Sequence, residues 1–147
     1  MNSLNIKSSI TIMIISLLFA CSDKFDPIPF SGNLDLPTEY TYELTIACYC
    51  TQNYVGPHRI HIKDDELIDY EIDVDGVMLD DQTDLKQFTI DALVERVDDI
   101  LARDPYSQEI KMHPDHNFPI SVYFDIDQRV ADEEWGYEIT NFKVVID

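Results

Sequence analysis

Residues Glu39 to Cys50 read EYTYELTIACYC, and the alternation in this stretch decides the fold. Tyr40, Tyr42, Leu44, Ile46, Cys48 and Cys50 fall on one side of an extended chain, and Thr41, Glu43, Thr45 and Ala47 on the other. Successive side chains of a strand point to opposite faces, so this is a strand with one buried face. The pattern recurs. Ile60 and Ile62 alternate with Arg59, His61 and Lys63, then Ile68, Tyr70, Ile72 and Val74 alternate with Asp69, Glu71, Asp73 and Asp75. Asp64-Asp65 is placed for a tight turn between those two runs. Towards the C-terminus Ile120, Val122, Phe124 and Ile126 form another strand, as do Trp135, Tyr137 and Ile139. The phase then moves to Phe142, Val144 and Ile146, which predicts a bulge near Thr140 and Asn141.

One segment has the helical period instead. Ile90, Leu93, Val94, Val97, Ile100 and Leu101 share a face, with Thr89 as N-cap, Arg103 in the last turn and Asp104-Pro105 as the stop. The opposite face, with Asp91, Glu95, Arg96, Asp98 and Asp99, reads as solvated. The expected fold class is therefore α+β: a twisted antiparallel sheet of about six strands in the order βββ-α-βββ, packed on one helix in two layers. The segment HPDHNFP, His113 to Pro119, turns the fourth strand into the fifth.

The first twenty residues, MNSLNIKSSITIMIISLLFA, hold Lys7, no acid and an apolar run from Ile10 to Phe19 broken only by Thr11 and Ser16. That is the pattern of a secretory signal, and the run is too short to span a bilayer. The next step, Leu18-Phe19-Ala20-Cys21, resembles the bacterial lipobox, in which the cysteine receives a diacylglycerol and becomes the mature N-terminus. Cys21 is thus the expected lipidation site, and a membrane the expected partner through that N-terminal lipid. Ser22, following it, would direct the protein to the outer membrane, facing the periplasm, in a host with two membranes. The chain divides into a lipoprotein signal peptide (1–20), the lipidated cysteine with a proline-rich tether (21–38) and a single α+β domain (39–147). Extended at about 3.3 Å per residue, such a tether reaches roughly 55 Å.

The chain carries 10 basic and 29 acidic residues, a formal charge of −19 at pH 7, and loss of the leader with Lys7 takes this to −20. Such a field repels phosphates, so nucleic acid is not an expected partner. It serves solubility, or it forms an acidic face for a cationic ligand or a basic envelope protein.

The succession of Tyr40 and Tyr42, CYC, an alternating hairpin, FTIDALVERVDDIL, IKMHPDHNFPISVYFDID and ADEEWGYEITNF resembles the bacterial envelope family catalogued as domain of unknown function 6174. The resemblance runs from Glu39 to Val145. In that family the turn usually reads Tyr-Asp, a spacer and Gly-Tyr-Pro; here Met112-His113 and Asn117-Phe118-Pro119 stand in those places, and Asn tolerates the left-handed backbone that Gly would supply. The resemblance implies an exported or lipidated α+β domain and brings no catalytic residues with it.

Three places could carry chemistry. Cys48 and Cys50 can be small buried side chains, a disulfide, ligands or free thiols. In a straight strand, residues i and i+2 lie roughly 6.5 to 7 Å apart, at the limit for a bridge, so a disulfide needs a sharp bend at Tyr49. A register that sets Cys50 opposite His58 would gather Cys48, Cys50 and His58 as a zinc or copper site, with His113 or His116 as a fourth ligand through the tertiary fold. The stretch DIDQRVADEE, with Asp125, Asp127, Asp132, Glu133 and Glu134, could surround calcium, but it lacks the spacing of an EF-hand loop, as does DVDG at Asp73 to Gly76, and reads as a solvated acidic loop. No nucleophile elbow, HExxH helix or phosphate-binding glycine loop occurs. The expectation is an envelope lipoprotein whose domain binds or scaffolds, with no enzymatic activity and no cofactor. The alternatives are a metal-binding lipoprotein and an uncharacterised envelope enzyme.

Overall fold

The computed structural model describes residues 29–32, 34–72 and 84–146. The leader, Cys21 and the DVDG stretch lie outside the described residues. The strands are β1 (Glu39–Cys48), β2 (His58–Lys63), β3 (Glu66–Ile72), β4 (Ser107–Met112), β5 (Pro119–Asp125) and β6 (Trp135–Val144). They form one antiparallel sheet in the order β3-β2-β1-β6-β5-β4. The first and last strands are thus neighbours at its centre, and each half of the sheet is a meander running outward from them.

This order explains the helix. β3 and β4 are opposite edges, separated by five strand spacings or about 24 Å, so the chain between them must cross the sheet. The crossing is made by α2 (Ile90–Leu101), whose 12 residues span about 18 Å. Thr89 caps it by accepting from the Ala92 amide, and Asp104, in the left-handed region at φ 57°, ends it before Pro105. Ile90, Leu93, Val94, Val97 and Ile100 are buried against Tyr40, Tyr42, Leu44, Ile46, Val122, Phe124 and Tyr137 of the sheet. Two buried hydroxyls are satisfied: Tyr42 donates to Phe88 O at 2.7 Å and Tyr137 to Pro119 O at 3.0 Å. The uncovered face is polar, with Glu39 held by His61 and Lys63, and Arg59 between Glu43 and Glu71.

The molecule is α+β with a six-stranded antiparallel sheet, but the order is not the plain βββ-α-βββ expected. A helical turn, α1 (Gln52–Val55), stands between β1 and β2, and a 3₁₀ turn (Leu85–Phe88) precedes α2. Four residues are too few to show a period, and α1 is fixed by tertiary contact, the Tyr54 ring meeting Phe88 at 5.5 Å. β3 also differs. Its register slips opposite His61 and Ile62, so Leu67 turns inward while Ile68 is 50% exposed. The second bulge falls where the phase shift put it: Thr41 pairs with Lys143 but Glu43 with Thr140, and Asn141 has φ 53°. Asp64 and Asp65 both have positive φ, the geometry of a two-residue hairpin turn.

Part of the segment assigned to the tether up to residue 38, residues 30–32 and 34–38, belongs to the folded domain. The amides of Phe30 and Ser31 donate, each at 2.9 Å, to the two carboxylate oxygens of Asp98 on α2. Phe30, Leu34 and Leu36 pack against the core. Asp98 looked solvated in the sequence because its partners come from far along the chain.

Gly136 pairs with Tyr123 of β5 with no room for a side chain, since an added Cβ would lie 2.2 Å from Val122 O. Gly136→Ala should therefore cost about 2–3 kcal/mol, because a backbone atom has to give way. Urea unfolding followed by Trp135 fluorescence measures this, and a loss under about 0.5 kcal/mol would show that β5 shifts freely.

Candidate functional site

β2 leaves β1 at the Leu44–His58 pair, whereas β6 follows β1 to the Cys48–Trp135 pair. The last turn of β1 is therefore paired on one side only. There the chain bends at Tyr49, and Cys48 and Cys50 are joined by a disulfide with their Cα atoms 5.3 Å apart. The straight-strand separation does not apply because the strand ends at Cys48. Tyr49 is left 84% exposed, Cys50 is exposed and Cys48 is half-buried.

Across the sheet, Ala47, Gly136 and Tyr123 form one row of partners on β1, β6 and β5. Ala47 and Gly136 fill almost none of the space above the backbone, so Tyr123, 42% exposed, is the only large side chain in the row. Asp132 and Glu134, leading into β6, approach the same place. Ala47, Cys48, Tyr49, Tyr123, Asp132 and Glu134 line a shallow hollow of about 210 Å³. Two phenol rings, two carboxylates and a disulfide thus meet at the open end of the sheet. Such a surface suits an organic cation, which the ring faces and the carboxylates attract together.

The other acidic residues do not join it. Asp125 ends β5 opposite Ser107. Asp127 is held by Arg129, whose guanidinium donates to both oxygens at 2.8 and 2.6 Å and keeps this carboxyl below its ordinary pKa. Glu133 is half-buried, with Oε1 lacking a hydrogen-bond partner among the described residues. Among the described residues no group of three His, Cys, Asp or Glu side chains is placed to hold a metal ion.

His58 does not face Cys50. It pairs with Leu44, is fully buried, and stacks on Phe88 with centroids 4.2 Å apart. Its tautomer follows from its partners. The Tyr54 carbonyl, 2.8 Å from Nε2, can only accept, so Nε2 carries the proton. Nδ1 therefore accepts the hydroxyl of Tyr70 at 2.6 Å. Burial drives the His58 pKa down and that of Tyr70 up to about 12, so both stay neutral. With two sulfurs bonded to each other and both imidazole nitrogens engaged, Cys48, Cys50 and His58 do not form a ligand set here. His113 and His116 are too far to complete one. Their rings pack on Phe142, seven residues along β6 from Trp135 or about 23 Å at strand rise. His113 Nδ1 accepts from the amides of Asp115 and His116, closing the turn.

Sequence reading missed Arg96, which lies over the Trp135 ring at 4.3 Å and donates to the Tyr54 hydroxyl at 3.0 Å. It also passed over Tyr49 and Tyr123, although both alternate with inward residues and so were legible as exposed aromatics. The chain belongs to the family of unknown function DUF6174, whose model matches residues 33–144. Comparison with curated proteins and with solved structures found no match.

The depressed pKa of His58 makes stability depend on pH in a definite direction. Above the ordinary value of 6.5 the imidazole is neutral folded or unfolded; below it the unfolded chain binds the proton first, so stability falls as pH drops through the lower folded value. The loss of urea midpoint between about pH 7.5 and 5 should be smaller in His58→Phe than in the parent. Equal losses would show that His58 does not carry it.

Proposed function

We propose that this DUF6174 chain is a lipid-anchored protein of the bacterial cell envelope, held through Cys21, whose domain binds a basic partner protein without performing turnover. The observation that carries the binding reading is the hollow at the end of β1, where exposed Tyr49 and Tyr123 are rimmed by Asp132 and Glu134. A strongly negative molecule attracts cations at range, and the rings give the short-range selectivity for a lysine or arginine side chain. The anchor reading is supported by the leader and by Leu18 to Cys21; Ser22 favours the outer membrane of a two-membrane host, facing the periplasm. Among the described residues no helix is long and apolar enough to cross a membrane. No observation favours an enzyme or a metal carrier over this reading.

Cys21→Ser should move the protein from the membrane fraction to the soluble fraction, and an unchanged distribution would remove the anchor. With a lysine-rich peptide as probe, amide shifts should cluster at 47–50, 123 and 132–134, and fade as salt is raised. The double change Tyr49→Ser, Tyr123→Ser should weaken binding about tenfold, the worth of two exposed cation–π contacts. Shifts scattered over the whole surface would show attraction by net charge alone.

A further inference from the structure

The Cys48–Cys50 bridge contributes little to holding the fold together. It encloses a single residue and joins no two elements of the fold. Stabilisation by a cross-link grows with the loop it closes, so a bridge this short is at the lower limit of that effect. The strand it terminates is fixed without it, by pairing with β6 down to Trp135 and by burial of Leu44 and Ile46. The bridge is also open to approach, with Cys50 exposed, Tyr49 standing out beside it, and a hollow against its Cys48 side that can seat part of an incoming chain. Disulfides with little structural duty at an accessible position are the ones that exchange.

We propose that Cys48–Cys50 is a thiol–disulfide exchange site that accepts two electrons from a partner dithiol of neutral or basic surface. The partner's thiolate attacks Cys50 Sγ, the more exposed end. The S–S bond breaks, Cys48 leaves as a thiolate and takes up a proton, and a mixed disulfide joins the partner to Cys50. The partner's second thiol, losing its proton, then attacks its own sulfur in that mixed disulfide and releases Cys50 as a thiolate, which is protonated in turn. Two electrons and two protons have passed to the bridge, and the partner departs oxidised. Charge selects the partner, because Asp132 and Glu134 flank the hollow and repel an anionic thiol while drawing in a cationic one. The exchange goes beyond the binding reading and rests on the bridge, so a chain that holds no basic peptide can still exchange; only the charge preference shares Asp132 and Glu134 with that reading.

The test uses the full chain carrying Cys21→Ser, which leaves two cysteines, prepared under oxidising conditions. It is treated with dithiothreitol, cysteamine (cationic) or glutathione (anionic), and alkylation counts the free thiols by mass. The expected result is complete reduction by dithiothreitol without denaturant, with near-ultraviolet dichroism and Trp135 fluorescence retained. Per thiolate, cysteamine should react about fivefold or more faster than glutathione at low salt, and Asp132→Asn with Glu134→Gln should shrink that gap. Separately, the lone thiol of Cys48→Ser should form a mixed disulfide with cystamine faster than that of Cys50→Ser. A bridge that yields only on unfolding, thiols already free, or a fold lost on reduction would overturn the proposal. Equal rates for the two small thiols would overturn the charge selection, and a faster Cys48 the order of attack.

Discussion

The pairing of β1 with β6 is the contact on which the rest depends. It joins the two ends of the domain in the middle of the sheet, in register from Tyr40–Val144 to Cys48–Trp135 with one bulge. Placing the terminal strands at the centre sends the two internal edges, β3 and β4, to opposite sides, and that separation forces the helical crossing. The crossing covers one face, and so determines which side of each strand is apolar. Each half-sheet is a local meander, but the centre closes only when distant parts of the chain meet, which makes this a topology dominated by non-local contact.

The same pairing creates the functional surface. Because β2 departs from β1 early while β6 stays with it, the last turn of β1 projects with one side unpaired. The fold seals the gap from within by buried His58 and Phe88 stacked with half-buried Tyr70, and by α1, whose Tyr54 is tied to Arg96. Outside, the gap is left to the bridge, the two tyrosines and two of the carboxylates. A neutral imidazole whose two nitrogens are matched to one donor and one acceptor serves this better than an apolar residue, because it also satisfies the Tyr54 carbonyl at the end of a short helix.

Strands β1, β2, β5 and β6, the helix with its cap and stop, and the bulge at Thr140 and Asn141 were legible because each rests on a periodicity within one segment; β4, mostly exposed, carries no such alternation. What escaped depends on contacts between segments. Leu67 replaces Ile68 on the inner face through a register slip that both residues would accept equally well by hydrophobicity. Asp98 and Arg96 sit in the charged stripe of the helix and gain their roles from Phe30, Ser31, Tyr54 and Trp135. For the site, the sequence marked Cys48, Cys50 and the acidic stretch separately; that Asp132 and Glu134 come to the Cys48 side of the bridge, and Asp125 and Asp127 do not, follows from β6 lying beside β1.

The docking of Phe30 and Ser31 on Asp98 bears on geography rather than stability. In a chain anchored at Cys21, the residues between lipid and Pro29 are then seven, Ser22 to Ile28, whose contour length is about 23 Å at 3.3 Å per residue. That is less than half of the reach that residues up to 38 would have allowed. The domain would ride close above its own leaflet and meet partners that come to the membrane surface, instead of casting across the compartment for partners on the far side.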